Sequence, residues 1–479
     1  MPKVGIIGAG ISGLSATYRL ARYCPKHHVH LYESSSTTGG WIKTMKTPSG
    51  GLFETGPHSV RVATNLQSSA YALSLMTELG LENDIILRTA KDPAARFRFA
   101  MFDGQVTRLP YSLPSALLFN KLTWAEKVQM GLGLFKKQNH PRDVSLYNLI
   151  KKTFGQKPAD YFIDSMTRGI YATSSKNLTV PNTLAAVEKY FMTGIPALNI
   201  LKSIGNTDYT FPAKPFLEPY FSQPMDSAKS SKAKVWSLKN GLEDMILKMN
   251  EEIDRAENAT VHVNTSAELI RKEGKHLTIA DSNGEEKSFN QIFATSSPKI
   301  LSTLLHPDDF PQELFELLEG FESTNVYVTL VELKNMILPK NPGFGFLVPS
   351  CENPDILGVI YDSWDGINMP EHDGRGARYT IMSTRPQKEL PNLVQDALGA
   401  ILDDSFQVSW THQVTADIPL MNKYHLENSE KVQQLAQENG IKLLGNTFTG
   451  VSVNDCIYYS ALAAQNYSNS LDYRERFSQ

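Results

Sequence analysis

A glycine-rich turn near the N-terminus limits the folds open to this chain more than any other feature. The run KVGIIGAG is predicted to be a buried strand, ISGLSATYRLARY has apolar residues at helical spacing, and a G-x-G-x-x-G pattern joins them. Such a turn is typical of α/β domains that hold the pyrophosphate of a dinucleotide on a helix N-terminus. The residues predicted to hold it are Gly8, Ala9, Gly10, Ile11, Ser12 and Gly13.

The glycines of this turn have separate physical roles. Gly8 allows the tight turn, Gly10 lets backbone N–H groups approach a pyrophosphate, and Gly13 lets the helix lie close to the strand. The next strand-like run, HVHLYE, ends at Glu33, about 20 residues further on, where a carboxylate can bind ribose hydroxyls. An acid at this point disfavours a cofactor that carries a 2′-phosphate.

Composition excludes several classes of protein. The 479 residues suggest two or three domains, at the usual ~100 to 200 residues per domain. A formal net charge of -3 argues against a nucleic-acid-binding protein, which normally carries a basic excess. The 3 cysteines form no C-x-x-C pair and have no histidine cluster at metal-ligand spacing, so neither a metal site nor a disulfide framework is predicted.

Two further patterns concern targeting and membranes. No run of about 18 apolar residues is present, which excludes an obvious transmembrane helix, and the direct passage from Met1 into the glycine turn leaves no room for a cleavable presequence. The segments SLPSALLFNKLTWAEKVQMGLGLFKK and YFMTGIPALNILKSIG are rich in large apolar residues, and the first also carries several lysines. They fit either helices lying in a membrane surface or an ordinary helical insert.

A second set of turns resembles a particular group of flavoenzymes. After Glu33, SSSTTGGWIKT places a second tight glycine turn, and GGLFETGPHSVR adds a backbone turn at Gly56 and Pro57. The order G-x-G-x-x-G, Glu, GG and GP resembles the superfamily that includes amine oxidases, phytoene desaturases and protoporphyrinogen oxidases. NAD dehydrogenases normally proceed instead to another βα unit.

Six segments spread over nearly the whole chain narrow this resemblance. They are GAGISGLSATYRL, YESSSTTGGWI, FETGPHSVR, WSLKNGLEDM, GFGFLVPS and GNTFTGVSVNDCI, of which GGW and GVSVNDCI are the most specific. With them the chain resembles the protoporphyrinogen oxidase family. The resemblance implies an oxidase with one noncovalent FAD per chain, which converts protoporphyrinogen IX to protoporphyrin IX in the penultimate step of haem biosynthesis. This six-electron oxidation would use hydride transfer to FAD, with molecular oxygen as the acceptor and hydrogen peroxide as the product.

The pattern of strands and helices predicts a discontinuous fold. The predicted class is α/β, with a Rossmann-like FAD-binding domain, a mixed-sheet substrate domain and a helical insert that is either membrane-associated or an ordinary addition. The FAD-binding domain is predicted in three parts, 1–90, 235–300 and 421–479. The substrate domain is predicted as strands at 91–110 and a sheet at 301–420, the insert as 111–212, and a linker and loop as 213–234.

The resemblance implies two groups of cofactor-binding residues in the first half of the chain. Besides the glycine turn, Glu33, Ser34 and Trp41 would surround the adenosine and pyrophosphate, and Ala267 would reach the adenine through its backbone. The residues implied to lie near the flavin ring are Gly56, Pro57, His58 and Ser59.

The stretch GNTFTGVSVNDCI is expected to complete the cofactor site. A last strand would end in a turn at Asn446 beside the pyrophosphate. The residues Val451, Ser452 and Val453 would then offer backbone N–H groups to the flavin edge where negative charge gathers on reduction. The same letters also allow a simpler interpretation, in which Asn454 and Asp455 cap the final helix.

The resemblance implies a substrate site but no catalytic residue. Arg98 matches an arginine near the substrate and Gly169 would line the pocket, while the residues implied to hold the macrocycle are Phe344, Leu347 and Met382. His58 stands where many relatives have arginine, and imidazole is a weaker partner for a carboxylate than guanidinium. Arg61 or Arg98 is therefore expected to bind more of the anionic charge. From sequence alone, ordinary core or surface roles for these residues stay open.

Two other functions remain open at this stage. One is an FAD-dependent amine or polyamine oxidase, although the Ser-Gly-Gly-Cys run that carries covalent flavin in some of them is absent. The other is a non-catalytic flavin-binding scaffold. The resemblance also implies peripheral contact with the mitochondrial inner membrane, and it leaves open a homodimer and a functional coupling to ferrochelatase.

Overall fold

Strands and helices alternate along the chain. A computed structural model describes residues 2–62, 67–89, 91–92, 96–137, 140–141, 143–183, 233–335, 343–363, 376–384, 386, 390–402 and 406–477. The strands are β1 (Lys3–Ile7), β2 (His28–Tyr32), β3 (Thr44–Lys46), β4 (Leu52–Glu54), β5 (Val60–Arg61), β6 (Ile85–Thr89), β7 (Phe99–Phe102), β8 (Gln105–Arg108), β9 (Ala233–Leu238), β10 (Ala259–His262), β11 (Ala267–Glu273), β12 (His276–Asp281), β13 (Glu286–Phe289), β14 (Gln291–Ala294), β15 (Ser323–Leu333), β16 (Gly345–Leu347), β17 (Ile356–Ile360), β18 (Arg378–Ser383), β19 (Val408–Pro419) and β20 (Ile441–Leu443). The helices are Ile11–Tyr23, Gln67–Glu78, Leu113–Leu117, Trp124–Gly133, Leu146–Phe154, Asp164–Tyr171, Val180–Thr183, Glu243–Asp254, Pro298–Leu304, Gln312–Glu319, Leu390–Leu398, Lys423–Glu438 and Val453–Phe477, with a π-helical turn at Pro158–Ile163.

A five-stranded parallel sheet is built around β1. Its strand order is β10–β2–β1–β14–β20, and every neighbouring pair is parallel. Val4 and Ile6 of the central strand are fully buried, as expected for a parallel sheet that is covered on both faces. The carboxyl ends of all five strands meet at one edge, where open α/β sheets bind their ligands. Because these strands come from residues 3 to 443, the sheet is discontinuous in sequence, as predicted.

The first and last helices pack together on one face of this sheet. Ile11–Tyr23 contacts Val453–Phe477, and their buried residues join one apolar cluster with Val4 and Ile6 of β1. Arg19 lies inside this cluster and is neutralised by Glu78, with Nη1–Oε2 and Nη2–Oε1 distances of 2.8 and 3.0 Å. A bidentate pair of this kind satisfies a charge that would otherwise be costly to bury.

The other face is covered by the antiparallel sheet β11–β12–β13 and by three helices. Leu301 and Leu314 belong to the same buried cluster as Ile7 and Ile292, so the helices Pro298–Leu304 and Gln312–Glu319 pack on the cofactor-binding sheet. The sequence assigned 301–420 to the substrate domain. That assignment begins too early, because the helical stretch up to residue 320 buries its leucines against the first domain.

A seven-stranded mixed sheet forms the second domain. Its order is β19–β15–β18–β17–β16–β7–β8, antiparallel throughout except between β16 and β7. The strands predicted in 91–110 thus form one edge of the sheet and are joined by a hairpin turn in which Asp103 and Gly104 both have positive φ angles. The carboxylate of Glu352 accepts from both turn N–H groups, at 2.8 and 2.9 Å.

Segment 213–234, predicted to be a linker and loop, lies outside the described residues up to residue 232. Its last two residues, Ala233 and Lys234, already belong to β9, so the prediction is wrong there. β9 is hydrogen-bonded to β5 and β6, which places this strand between two segments of the first domain that lie far before it in sequence. These sheets confirm the predicted α/β class.

The described part of the insert is helical. Ser112 and Thr123 each form a reciprocal capping box, with Ser115 and Glu126 respectively, which fixes where two of its helices begin. The segment YFMTGIPALNILKSIG lies outside the described residues. In the part of the chain that the structure describes, none of the helices combines the length and the apolar character needed to cross a bilayer.

Candidate FAD and substrate site

Backbone geometry at the N-terminal turn matches the roles predicted for its glycines. Gly8 has a φ of 94°, which L-residues rarely adopt, and a Cβ on Gly13 would lie 1.9 Å from the Gly8 carbonyl oxygen. A Cβ on Gly10, in contrast, would meet nothing within 4 Å. The helix is thus pressed against the strand at Gly13 and open at Gly10, where a pyrophosphate is predicted to lie.

Glu33 reaches the same turn. Its Oε2 accepts a 2.8 Å hydrogen bond from the Ala9 N–H, and its Oε1 accepts one of 2.8 Å from Ser35 N–H. The neighbouring Ser34 is exposed. Residues 264–267 run alongside Glu33, because the Thr265 N–H donates to the Glu33 carbonyl oxygen at 2.8 Å. The predicted adenosine residues Glu33, Ser34 and Ala267 are therefore close together in the fold.

The second glycine turn packs directly on the first. The Gly39 N–H donates to the Ala9 carbonyl oxygen at 2.7 Å, and Gly39 forms a parallel bridge with Gly10. Trp41, which follows, is 41% exposed. A Cβ on Gly56 would lie 2.1 Å from the Trp41 carbonyl oxygen, so the turn of residues 56–59 lies against this segment.

The C-terminal turn meets the N-terminal helix from the other side. The buried Cys456 thiol donates to the Gly450 carbonyl oxygen at 3.5 Å, and the buried Ser12 of the first helix lies beside it. Burial raises the pKa of this thiol to about 11, which disfavours the thiolate. Asn446 follows β20, and Gly445 before it has a φ of 96°. The two glycine turns at opposite ends of the chain thus form one site.

The capping interpretation of Asn454 and Asp455 needs correction. Ser452 is the cap, because its Oγ accepts from the Asp455 N–H at 3.1 Å and donates to the Asp455 carboxylate at 2.7 Å. The Asn454 side chain instead donates to the Arg61 carbonyl oxygen at 2.9 Å and to Ser69 at 3.0 Å. Asn454 therefore fixes the C-terminal turn to the segment that follows residues 56–59.

These residues fit the diphosphate of FAD. The open space at Gly10 lies on a helix N-terminus, which favours an anion. The buried Oγ of Ser296 has no hydrogen-bond partner among the described residues, and its backbone N–H lies 3.6 Å from where a Cβ of Gly8 would be. An unsatisfied hydroxyl beside an open helix N-terminus is suited to a phosphate oxygen.

His58 connects the turn of residues 56–59 to the seven-stranded sheet. Its Nδ1 lies 3.1 Å from the Gly56 carbonyl oxygen, and its Nε2 lies 3.1 Å from both Thr380 Oγ1 and Asp362 Oδ1. The Thr380 hydroxyl also donates to Asp362 Oδ2 at 2.8 Å. Burial works against a charge on His58, but Asp362 and then Glu54 outweigh it, so its pKa lies above the ordinary value.

Glu54 adds a second buried carboxyl group to this junction. It is 1% exposed, and it accepts from Leu242 N–H at 2.7 Å and from the Thr44 hydroxyl at 3.2 Å. Burial raises its pKa to about 7, although these hydrogen bonds and His58 favour the ionised form. The group is therefore poised to gain or lose a proton near neutral pH.

Two arginines lie close together where the cofactor turn approaches the second sheet. Arg61 ends β5, and Arg98 directly precedes β7 and donates from Nη1 to the Phe97 carbonyl oxygen at 3.0 Å. The pKa of Arg98 lies below its ordinary value, because the surrounding protein removes part of its hydration and Arg61 adds a like charge nearby. Both side chains are nevertheless exposed to solvent. Two neighbouring guanidinium groups form a suitable place for an anionic ligand.

The register of the second sheet brings other predicted substrate residues onto one face. Leu347 lies opposite Gly358, and Gly358 lies opposite Met382, so the three positions share one face of the sheet. A Cβ on Gly358 would lie 3.4 Å from Leu347 Cδ2, so the glycine lets the Leu347 side chain lie close to this strand. Leu347 is also level with Ala100, two residues after Arg98, which places Arg98 on this face. A Cβ on Gly169 would lie 2.4 Å from Leu347 Cδ2, so Gly169 contacts it directly.

Phe344 is placed differently. It directly precedes β16, its side chain is half-buried, and its carbonyl oxygen accepts from the Tyr361 N–H at 3.0 Å. By strand alternation it shares the parity of Phe346, which belongs to the buried core of the second sheet. The binding roles of all these residues stay predictions, but Arg98, Gly169, Leu347 and Met382 are brought together.

Sequence reasoning missed several residues that build this site. Arg168 donates from Nη2 to three carbonyl oxygens, of Asn353, Pro354 and Ile356, at 3.1, 2.9 and 2.9 Å, and so fixes the helix that carries Gly169. The other missed residues are Glu54, Asp362 and Thr380. None of these four residues has a hydrogen-bond partner at a sequence spacing that a local motif could reveal. In the described residues, no cluster of His, Cys, Asp or Glu side chains is suited to a metal ion.

Comparisons with known proteins bear on the family and the fold. Residues 11–466 match the family model of flavin-containing amine oxidoreductases. The chain is 27% identical over 493 residues to the protoporphyrinogen oxidase of Schizosaccharomyces pombe, with 95% of this chain and 96% of the relative covered. It is 29% identical over 492 residues to that of Bos taurus, with 96% and 97% covered. The crystal structure of a putative protoporphyrinogen oxidase from Exiguobacterium sp. 255-15 superimposes with a TM-score of 0.74 at 17% identity, covering 98% and 99% of the two chains.

Proposed function

The chain belongs to the family of flavin-containing amine oxidoreductases and is an FAD-dependent oxidase, and within that family we propose that it oxidises protoporphyrinogen IX to protoporphyrin IX with molecular oxygen. The full-length similarity to protoporphyrinogen oxidases of two organisms supports the substrate. This reaction would produce hydrogen peroxide and would form the penultimate step of haem biosynthesis.

The observation that carries the proposal is the pair of guanidinium groups beside an apolar face. Arg98 lies near Arg61 and shares a face of the second sheet with Leu347 and Met382. A porphyrinogen has a flat apolar ring and carboxylate side chains, so it needs both features at once. An amine substrate would be repelled by two neighbouring cations.

The residues that would hold FAD are those of the two glycine turns. Gly10 and Ser296 fit the pyrophosphate, Glu33 lies where ribose hydroxyls are expected, and backbone N–H groups of residues 451–453 stand at the start of the last helix. When bound, FAD supplies the two-electron chemistry of each oxidation step and returns the electrons to oxygen.

The protein's own part in the reaction would be to bind and orient the substrate. Arg61 and Arg98 would bind carboxylates, while Leu347 and Met382 would hold the ring against the sheet. No side chain of this face is assigned as a proton acceptor. Orientation of the substrate would therefore supply most of the protein's contribution.

An anaerobic reduction experiment tests the proposal. Purified protein loaded with FAD should lose its visible flavin absorption on mixing with protoporphyrinogen IX, and on admission of oxygen it should form fluorescent porphyrin and peroxide. The family description makes an amine oxidase the second candidate. Bleaching of the flavin by benzylamine or spermine, with none by the porphyrinogen, would replace the first function with the second.

The exposed apolar side chains of the insert support a second part of the proposal, peripheral contact with a membrane. They are Leu113 (76% exposed), Leu118 (83%), Trp124 (69%), Leu132 (62%) and Phe135 (67%). The Lys127 ammonium lies 4.7 Å from the centre of the Trp124 ring, so basic groups accompany the apolar ones. A surface of this composition suits an anionic bilayer. The mitochondrial inner membrane, a homodimer and a coupling to ferrochelatase remain predictions from the resemblance.

Flotation with vesicles tests this surface. The protein should bind vesicles that contain an anionic phospholipid, and replacement of Leu118 and Trp124 by serine should reduce binding. Replacement of Leu247, which is 52% exposed on another helix, by serine is the matched control. Equal binding by all three proteins would remove the insert from the membrane contact.

A further inference from the structure

The hydrogen bonds of His58 require protons on both ring nitrogens. The Gly56 carbonyl oxygen is only an acceptor, so Nδ1 must donate to it. On the other side of the ring, Thr380 uses its only hydroxyl hydrogen for Asp362, which leaves its oxygen free to accept from Nε2. Asp362 Oδ1, also 3.1 Å from Nε2, is an acceptor when ionised.

The proton between Nε2 and Asp362 belongs on the imidazole. Free imidazole is the stronger base, with an ordinary pKa of about 6.5 against about 3.9 for an aspartic acid. Glu54 also acts on the ring and, when ionised, attracts a positive charge there. The ion pair is 5% and 2% exposed at its two side chains, so water does not screen it effectively.

This pair lies between the two domains. Gly56 packs on Trp41, which follows the glycine turn bridged to Gly10, and Arg61 is held by Asn454 of the C-terminal turn. Residues 56–61 therefore contact both halves of the candidate FAD site. Thr380 belongs instead to β18 of the seven-stranded sheet, and Asp362 lies in the turn that follows β17.

We propose that His58 is a positioning residue, a buried imidazolium that locks the cofactor turn of residues 56–59 to the substrate sheet through Gly56 on one side and Asp362 and Thr380 on the other. The inference rests on the FAD site of the proposed function and not on the identity of the substrate. His58 thereby sets the distance between the apolar face of the seven-stranded sheet and the cofactor. A flexible junction would let that distance vary, and a misplacement of about 1 Å can reduce a rate by about 100-fold.

The charge state of His58 can be measured in the unaltered full chain loaded with FAD. With ¹⁵N-labelled histidine, the ring nitrogens of His58 should both remain protonated from mildly acidic to mildly alkaline pH, and the loss of these signals in His58→Gln assigns them. Free histidine in the same buffer is the control, since an imidazole with the ordinary pKa of about 6.5 becomes neutral in that range. A neutral His58 ring at neutral pH would overturn the imidazolium.

Kinetics and flavin spectroscopy test the positioning role. Asp362→Asn and Thr380→Val should lower kcat by about 10- to 100-fold, with KM within about twofold, and should change the visible circular dichroism of bound FAD. Thr380→Ser keeps the hydroxyl and should restore both. Unchanged kcat and dichroism in FAD-loaded variants would refute the lock, and a rise in KM alone would make His58 a substrate contact. If the porphyrinogen is not a substrate, the nitrogen signals and the dichroism still decide the inference.

Discussion

The five-stranded sheet and the seven-stranded sheet contribute to the candidate site in opposite ways. At the edge of the first sheet, the decisive positions are glycines such as Gly8 and Gly13, whose missing side chains let backbone segments touch. On the second sheet, the decisive positions are side chains, Arg98, Leu347 and Met382, which become neighbours only through strand register. The first region depends on missing side chains within one short segment. The second depends on side chains that come from distant segments of the chain.

This difference predicts how each region responds to substitution. A clash between backbone atoms cannot be relieved by rotating a side chain, so changes at the glycine turn should affect folding and cofactor retention together. Changes on the second sheet should leave the fold intact and alter substrate binding. Four substitutions, given in order of decreasing expected effect, test this difference between the two regions.

Gly13→Ala should have the largest effect. The added Cβ would lie 1.9 Å from the Gly8 carbonyl oxygen, so the first helix must move away from β1. We expect no retained FAD and a loss of roughly 1 to 3 kcal/mol in the free energy of unfolding. Absorption spectra and denaturant titration measure the two quantities.

Gly10→Ala is the matched control for this prediction. Its Cβ would meet nothing within 4 Å, so the apoprotein should unfold at the same denaturant concentration as the original while FAD retention falls. A Gly13→Ala protein that keeps both FAD and stability would contradict the role given to the close helix–strand contact.

Glu54→Gln tests the junction between the two regions. The pKa of Glu54 rises from 4.5 to about 7 on folding, so the carboxyl group favours the folded state when neutral, below about pH 4.5. That contribution is lost as the pH rises through about 7. The variant should therefore gain stability relative to the original protein with rising pH, by on the order of 3 kcal/mol in total. Parallel denaturation curves across this range measure it, and a constant difference would disprove the raised pKa.

Arg98→Ala should weaken substrate binding at the second sheet and leave the cofactor site unchanged. Loss of a charged hydrogen bond is worth roughly 1.5 to 3 kcal/mol, so KM for the porphyrinogen should rise by about 10- to 100-fold while FAD content stays unchanged. Arg108 lies opposite Phe99 in the hairpin and so points to the other face. Arg108→Ala is therefore the matched control, and equal KM values for the two variants would remove Arg98 from the site.

Gly169→Ala should have the smallest effect. The new Cβ would lie 2.4 Å from the end of the Leu347 side chain, which is flexible and can rotate away at low cost. We expect KM to rise about fivefold, for a cost of about 1 kcal/mol, and to recover in Gly169→Ala/Leu347→Ala. Gly131→Ala, on an open helix surface, serves as the control. Failure of the double variant to recover would show that the contact is not the cause.

The sequence predicted the first region well because its physics is local. A strand, a glycine turn and a helix lie within residues 3–23, and Glu33 follows in the next strand. The predicted α/β class follows from that pattern. The C-terminal turn was also located, although Ser452 rather than Asn454 or Asp455 caps its helix.

The junction could not be predicted because its partners are far apart along the chain. His58 and Thr380 are separated by 322 positions, and Glu54 and Leu242 by 188. No periodicity or motif reports such a pairing, since each residue alone fits an ordinary polar position. The start of the substrate sheet was misplaced for a related reason: the leucines of helices near residue 301 show that a face is buried, but not against which sheet.

The packing of the last helix on the first has a consequence for how the protein is made. Most of the described chain lies between the first helix and β20, so β20 and the helix Val453–Phe477 emerge from the ribosome long after β1. Until then the N-terminal helix exposes apolar side chains that its partner will later cover. A nascent chain without these later segments therefore cannot form a finished flavin pocket, and it should depend on chaperones until they emerge.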